Sequence, residues 1–287
     1  MRRMTMIGLL AVFAIGAAHA TPWFTQDPRT LPEGKWRVEE HVFYSETGDA
    51  LVDGDRQALP GGADATSLTL HTRVRYGVND DLTVFADIPW VLKEFTAPDG
   101  TKRDADGFGD LMFLGKYKYH DDRDAGTRRA FALFIKPDTG DTDVDVPLLR
   151  TGTGTTNFGA MHLWEKQAGA TTWYASLGYI YTGDSMDLDP GDVFAGNIAA
   201  EHEIGDGWKG VWEVNARHQG QAELGGQDVP DSEWTVISLS PGVQYWTQPE
   251  PGQQAVFEAG VQIPTFEWGD RGALEDYTIY GGGFWIF

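Results

Sequence analysis

Apolar and polar residues alternate with a period of two through most of this chain, and this alternation constrains the fold more than any other feature. Between residues 68 and 92, one set of alternate positions is apolar or neutral, namely Leu68, Leu70, Thr72, Val74, Tyr76, Val78, Leu82, Val84, Ala86, Ile88, Trp90 and Leu92. The intervening positions are mostly polar, and Asn79-Asp80 between the two runs predicts a tight hairpin turn. Since successive side chains of a strand point to opposite faces, each run predicts a strand with one apolar and one polar face.

Twelve segments of this kind can be recognised along the chain. They lie at about residues 35–46, 66–78, 81–94, 107–119, 128–137, 154–166, 170–182, 193–204, 207–220, 233–246, 253–264 and 275–287. Each is long enough for the roughly 9 to 11 residues that a tilted transmembrane strand needs. The connections after even-numbered segments are short and those after odd-numbered segments are longer, as in Thr47 to Ala65 and Asp138 to Thr153.

This alternation of loop lengths predicts an all-β fold, a membrane-spanning antiparallel up-and-down β-barrel of about twelve strands. In such barrels short turns face the periplasm, long loops face the outside, and the strand number is even. The 36 glycines and the 13% aromatic content suit a barrel as well. Residues 34–287 are predicted to form it, with a periplasmic segment at 21–33.

The N-terminus has the features of a secretory signal peptide at residues 1–20. Arg2 and Arg3 precede an apolar run from Ile7 to Ala18, which is too short to span a bilayer. Ala18 and Ala20 flank His19, so cleavage is expected after Ala20. Export together with a barrel predicts a location in the outer membrane of a Gram-negative cell. The chain has no Cys, so disulfides and thiolate metal sites are excluded.

If the apolar positions face lipid, the alternate positions line the lumen and are the candidates for a pore. The charged candidates are His71, Arg73, Arg75, Asp87, Lys93, Asp110, Lys116, Lys118, Glu201, Glu213, Arg217 and Glu258. Basic groups dominate segments two to five and acidic groups dominate segments eight, nine and eleven. Two readings stay open: the walls carry opposite charge and orient a polar solute, or the groups neutralise one another and fill the lumen.

Aromatic residues lie where a barrel meets the interfaces and where it ends. Trp90, Trp173, Trp208, Trp234, Tyr245, Trp268 and Tyr277 are predicted to form interfacial girdles. Aromatics on the lumen side, Phe85 and Tyr174, could contact an aromatic solute, although filling of the core is the simpler reading. The last strand resembles the C-terminal assembly signal of outer-membrane barrels at Tyr280, Gly282, Trp285 and Phe287.

Catalytic and metal motifs are largely missing from the sequence. None of the mature histidines is followed two residues later by Ser, the pattern of outer-membrane lipases, and no enzyme activity or cofactor is expected. One acidic loop has carboxylates spaced as in a weak calcium site, at Asp138, Asp141, Asp143 and Asp145. It lacks the Gly and terminal Glu of a helix-loop-helix calcium loop, so a solvated acidic loop is the preferred reading.

The formal net charge of −21, which loss of Arg2 and Arg3 makes more negative, excludes nucleic acid as an electrostatic partner. The expected partners are those of a barrel in the outer membrane: lipid and lipopolysaccharide, the barrel-assembly machinery during biogenesis, and a small solute. Divalent-cation bridging to lipopolysaccharide is one explanation of the acidity, and a salty habitat is another.

Four short motifs resemble an outer-membrane family named for a meta-pathway (MetA-pathway) of phenol degradation. They are Leu31-Pro-Glu-Gly-Lys-Trp36, Gly107-Phe-Gly-Asp-Leu111, Ile135-Lys-Pro-Asp-Thr-Gly140 and Gly152-Thr-Gly154. The resemblance extends over most of the mature chain. It implies a transporter-like barrel for small, often aromatic or hydrophobic molecules, and it supplies no catalytic residues.

The first functional hypothesis is therefore a passive channel whose loops form the mouth and whose lumen side chains set selectivity. The alternatives are a structural or surface-interaction barrel with a filled lumen, which would be silent in a conductance assay, and an outer-membrane hydrolase with an unrecognised site.

Overall fold

The fold is built almost entirely from β-strands. The structure is a computed structural model that describes residues 24–52, 54–144, 146–184, 188–250, 253–269 and 271–287. Its strands are β1 Trp36–Thr47, β2 Asp49–Val52, β3 Asp55–Ala58, β4 Asp64–Asn79, β5 Leu82–Thr96, β6 Lys102–Phe108, β7 Met112–Asp122, β8 Thr127–Lys136, β9 Asn157–Ala168, β10 Thr171–Thr182, β11 Leu188–Asp189, β12 Val193–Gly205, β13 Trp208–Gln219, β14 Glu223–Leu224, β15 Gln227–Asp228, β16 Trp234–Thr247, β17 Gln254–Gly269, β18 Arg271–Leu274 and β19 Tyr277–Ile286. Short 3-10 turns lie at Pro60–Gly62 and Pro147–Leu149.

Twelve of these strands close into one antiparallel barrel, as the sequence predicts. They are β1, β4, β5, β7, β8, β9, β10, β12, β13, β16, β17 and β19. Each pairs with its neighbours in chain order, apart from the short strands of the loops, and the barrel closes where β19 pairs with β1. Closure leaves no free edge around the barrel, which a β-structure needs in order to pair every backbone group in lipid. No helix among the described residues is long and apolar enough to cross a membrane.

The two kinds of connection lie at opposite ends of the barrel. The first and last barrel strands meet at the short-turn end, where Trp36 and Phe287 exchange two backbone hydrogen bonds of 3.0 Å. The barrel thus begins and ends at the side that faces the periplasm in barrels of this type. The predicted signal peptide, residues 1–20, lies outside the described residues.

The alternating pattern is also confirmed residue by residue. On β4 and β5 the apolar positions Leu70, Val78 and Ile88 are exposed on the outer wall, while Arg73 and Asp87 are buried inside. The outer wall carries exposed aromatic and aliphatic residues on most strands, which is the surface that a bilayer requires.

The fourth predicted segment, 107–119, differs from the structure. This segment is interrupted. β6 pairs with residues 90–96 of β5 near the long loops, and β7 pairs with residues 82–87 near the short turns. Gly109–Leu111 lies between β6 and β7, outside both strands. At the break the Asp110 carboxylate accepts hydrogen bonds from the backbone N–H groups of Thr139, Gly140 and Thr153. Hydrogen bonds from a side chain to the backbone of a distant loop compete with strand pairing at this position. The partners of Asp110 lie in residues 139–153, so the sequence of segment 107–119 does not reveal the break.

A small cap covers part of the long-loop end. The hairpin of β2 and β3 pairs with β18 in a separate three-stranded sheet. Arg56 in this hairpin donates to Glu267 at 2.7 Å and to Asp276 at 2.9 Å, which ties the hairpin to the end of β17 and to the residues just before β19. The cap also sends Leu51 inward, where it is buried against Trp234 and Val236.

Candidate functional site

The short-turn mouth of the barrel is filled by the chain's own N-terminal segment. The backbone N–H groups of Phe24 and Thr25 donate to the Glu213 carboxylate at 3.0 and 2.7 Å. Asp27 forms an ion pair with Lys116 at 3.2 Å, and the Leu31 N–H donates to the Thr83 hydroxyl at 2.8 Å. We call residues 24–33 the plug, because its residues 25–28 are buried inside the wall.

Around the plug, charged side chains of β1, β4 and β5 form an ion-pair network. Glu39 is its centre, with Arg75 Nε at 2.5 Å and Arg37 Nε at 2.6 Å from its carboxylate. Arg73 reaches Glu39 at 3.7 Å and Asp87 at 3.0 Å. The basic groups that the sequence assigned to this wall are therefore matched by acids on the same wall.

The opposite wall is arranged in the same manner. Glu165 forms ion pairs with Arg29 of the plug, at 3.5 Å, and with Arg128. Lys209 forms an ion pair with Glu201 at 3.3 Å. A buried charge without a partner is costly, so close pairing is what a filled lumen requires. Of the two readings left open by the sequence, this local pairing favours charges that neutralise one another over walls of opposite charge that orient a solute.

The predicted pore-lining residues fall into four groups by position. Seven lie in or beside the ion-pair network around the plug: Arg73, Arg75, Asp87, Lys116, Glu201, Glu213 and Glu258, with His71 hydrogen-bonded to Asp87 at 3.0 Å. Lys93 and Asp110 hold outer loops, since Lys93 donates to the Arg150 carbonyl at 2.5 Å. Lys118 lies at the short-turn end beside Asp121. Arg217 lines an open space, and a role in a pore stays a prediction for all twelve residues.

That open space is a chamber in the outer half of the lumen, with a volume of about 180 Å³. Its floor includes Phe24, the first described residue of the plug. One side is apolar and comes from five consecutive barrel strands, namely Met112, Phe134, Met161, Ile180 and Val193. The roof lies under the cap, where Leu51 packs on the lining residues Trp234 and Val236.

A line of uncharged polar side chains also borders the chamber. Ser176, Asn197, Asn215 and Ser238 lie directly opposite one another on β10, β12, β13 and β16. Asn215 Nδ2 donates to Asn197 Oδ1 at 3.1 Å, and Asn197 Nδ2 donates to the Ser176 hydroxyl at 3.0 Å. We call Ser176, Asn197, Asn215 and Gln262 the polar ladder, because Gln262 Nε2 joins it at Asn215 Oδ1, 3.4 Å away.

Several residues of the lumen were missed or misplaced by sequence reasoning. Trp234 was predicted for an interfacial girdle, but it is buried in the chamber wall with the Arg217 guanidinium over its ring. By contrast, Trp173, Trp208 and Trp268 are exposed on the outside, as predicted. Glu39 was not singled out, although the alternation of Arg37, Glu39 and His41 along β1 was a signal that could have found it.

The lumen aromatics and the C-terminal residues also have defined places. Phe85 packs in a buried cluster with Leu114, and Tyr174 donates to Glu201, so both fill the core and neither lines the chamber. Of the predicted assembly signal, Trp285 and Phe287 are exposed, whereas Tyr280 is buried inside against Phe24. Gly282 lies where β19 meets β1, opposite His41.

The acidic loop and the histidines are the residues to inspect for a metal site or for catalysis. The described residues contain no group of three His, Asp or Glu residues placed to hold a metal, and Asp145 of the acidic loop lies outside them. In that loop Asp141 accepts a hydrogen bond from the Asp143 N–H, which is a local turn contact, and Asp138 is exposed. Each described histidine has a hydrogen-bond partner that is a carboxylate, a threonine hydroxyl or a tyrosine hydroxyl.

Comparison with known proteins agrees with this architecture. The family model described as "Putative MetA-pathway of phenol degradation" matches residues 20–268. No curated protein sequence matches the chain. The crystal structure of an outer membrane channel from Pseudomonas putida F1 is similar, with 15% identity and a TM-score of 0.77, over 91% of this chain and 98% of that one. At this identity the likeness shows a shared outer-membrane barrel fold.

Two further solved structures are much less similar. A Pseudomonas aeruginosa FadL homologue has 10% identity and a TM-score of 0.42, over 88% of this chain and 90% of that one. The CymD monoaromatic hydrocarbon channel has 11% identity and the same TM-score, over 89% of this chain and 88% of that one. Neither bears on the function of this chain.

Proposed function

We propose that this chain, which belongs to the family described as "Putative MetA-pathway of phenol degradation", is a passive outer-membrane channel for small aromatic or hydrophobic molecules. The observation that carries the proposal is the chamber, an apolar space in the lumen of a closed barrel. A barrel that served only as a structural element would gain stability by filling this space with side chains.

The position of the chamber supports a route through the lumen. It lies between the cap on the long-loop side and the plug on the short-turn side, so a solute entering from outside would meet the chamber before the plug. Movement down a concentration gradient needs no energy source, and no nucleotide-binding motif is present in the sequence. The predicted pore-lining residues around the plug would line the lower part of the route once the plug moves.

The remaining partners follow from the location and belong to the proposal. The outer wall is surrounded by outer-membrane lipid and lipopolysaccharide, and the barrel-assembly machinery inserts the chain. Trp285 and Phe287, exposed on the outside of the last strand, support a role of the C-terminus as an assembly signal.

The test is transport by the refolded mature protein in two formats. In proteoliposomes we expect faster entry of toluene and p-cresol than in protein-free vesicles, and no faster entry of a sugar of similar size. In planar bilayers we expect small discrete conductance steps, which small aromatic solutes reduce. Entry rates equal to those of protein-free vesicles, from a barrel with intact strand content, would overturn the proposal.

A second function is favoured by a specific observation, the filling of the short-turn half of the lumen by the plug and the ion-pair network. A structural or surface-interaction barrel would have this feature permanently. It predicts that a variant lacking residues 21–33 folds less stably and gains conductance, while the intact protein shows neither conductance nor solute entry.

A further inference from the structure

The size of the chamber limits what it can hold. Its volume of about 180 Å³ is slightly larger than an apolar cavity of roughly 150 Å³ that takes up benzene in another protein. One six-membered ring with a small substituent fits such a space. The two lining methionines, Met112 and Met161, present flexible thioethers that make favourable contacts with ring edges.

The charges of the lining determine which kind of ring is favoured. Among the described lining residues the charged ones are Arg217 and Glu275, which have opposite sign. The lining therefore supplies no net counter-charge, and both groups already have interactions within the protein, so a carboxylate or an ammonium would have to displace these in order to replace its hydration. A neutral ring avoids this cost.

The polar ladder determines where a substituent would bind. The Asn215 oxygen already accepts from Ser240 and Gln262, at 2.9 and 3.4 Å, and the Asn197 oxygen accepts from Asn215. Each of the two asparagine amides carries two N–H groups, and the ladder uses one of each. The second N–H of each asparagine and the Ser176 O–H remain as donors to an oxygen on a solute.

We infer that the chamber is a binding site for one neutral six-membered ring bearing a single hydroxyl or carbonyl, with the polar ladder as its specificity determinant. The ring packs against Met112, Phe134 and Met161, and the substituent oxygen accepts a hydrogen bond from Asn197, Asn215 or Ser176. This inference rests on the proposed function, since it names the solute class of the same lumen.

The test compares ligands that share one methyl-substituted ring and differ in the polar group: toluene, p-cresol and 4-methylbenzoate. Calorimetry on the detergent-solubilised mature protein measures binding without any need for transport. We expect p-cresol and toluene to bind and 4-methylbenzoate to bind at least about tenfold more weakly than p-cresol.

The variant that tests the ladder is Asn215→Leu, which removes its central amide while keeping the side-chain size. Loss of one hydrogen bond to the ligand should weaken p-cresol binding about three- to tenfold and leave toluene binding unchanged or stronger. Toluene binding thus reports that the chamber is still formed. The matched control is Gln227→Leu, an exposed position in the outer loops, which should bind all ligands like the parent.

Should Asn215→Leu not fold, Ser176→Ala provides the same comparison with a smaller change. Equal loss of p-cresol and toluene binding in the folded variant, or benzoate binding as tight as cresol binding, would overturn the inference. A barrel that passes p-cresol without binding it would overturn the inference and leave the proposed function intact. A barrel that binds p-cresol and passes none would overturn the proposed function instead.

Discussion

Release of the plug by Glu213→Gln is the most direct perturbation that the structure offers. The Glu213 carboxylate accepts three hydrogen-bond contacts from the plug backbone, two from the Phe24 N–H at 3.2 and 3.0 Å and one from the Thr25 N–H at 2.7 Å. A glutamine amide keeps one accepting oxygen, replaces the other with an N–H donor, and removes the negative charge.

The expected magnitude follows from these contacts. Glu213 Oε2 alone accepts from both N–H groups, so a glutamine oxygen in its place can keep both bonds and the main loss is the negative charge. A hydrogen bond to a charged group contributes about 1.5–3 kcal/mol net and one between neutral groups about 0.5–1.5 kcal/mol, so each of the two bonds should weaken by about 1 kcal/mol. Because about 1.4 kcal/mol corresponds to a factor of ten, the undocked population of the plug should rise about 10- to 100-fold. Undocking opens the lower half of the lumen, so the molecule should visit a larger conductance state more often by the same factor.

Single-channel recording in planar bilayers measures this change, and hydrogen exchange of the Phe24 and Thr25 amides measures it independently. Glu203→Gln is the matched control, because Glu203 is exposed near the short-turn end of β12 and should leave both readouts unchanged. A folded Glu213→Gln barrel with unaltered amide exchange and unaltered conductance would refute the view that Glu213 holds the plug.

Three further predictions concern the plug, the cap and the barrel seam. Burial by itself would raise the pKa of Asp27, but Lys116 and Arg29 lower this pKa below the ordinary value of 3.8. The Asp27 carboxylate therefore stabilises the docked plug fully above pH 3.8, and this stabilisation is lost only as the pH falls below that value. Acidification from about pH 7 to about pH 5 should leave the conductance unchanged through this group, and a pH titration of single-channel currents would measure it. Arg56→Gln should speed hydrogen exchange of the β2–β3 hairpin about two- to fivefold at low salt. The effect should be smaller at high salt, because Arg56 is part-exposed and salt screens its ion pairs with Glu267 and Asp276. Arg103→Gln, also on an outer strand, is the control. Gly282→Ala should lower the free energy of unfolding by about 1–3 kcal/mol in a denaturant titration, because a Cβ there would overlap the backbone oxygen of Glu40. Gly281→Ala should lower it by less, because the nearest atom to a Cβ at that position would be 3.6 Å away.

Much of the barrel could be predicted from the sequence because its determinants are local. The side-chain period of two is a property of every strand, so the alternation from Leu68 to Val78 identifies both the strand and its lipid face. The alternation of short and long connections then predicts the up-and-down order of the strands, with the first and last strands starting and ending on the short-turn side. The break at Gly109–Leu111 could not be predicted this way, since it depends on Asp110 collecting N–H groups from residues 139 to 153.

The lumen was predictable in membership and not in arrangement. Inward positions such as Arg73, Glu201 and Glu213 follow from strand parity alone. Which acid pairs with which base depends on strand register and on the plug, and neither Asp27 beside Lys116 nor Glu213 beneath the Phe24 N–H is visible along the chain. The inward turn of Trp234 is another such case, because an aromatic residue at a strand end looks the same in sequence whether it faces lipid or lumen.

The sequence by itself determined a twelve-stranded barrel, its outer wall and the separation of short turns from long loops, because these depend on residues close together in the chain. Only the tertiary structure decided that the lumen is half filled by a plug and paired charges and half empty. It did so because the chamber is lined by side chains of strands that are far apart in sequence, and the register between strands sets which side chains lie at the same height in the barrel.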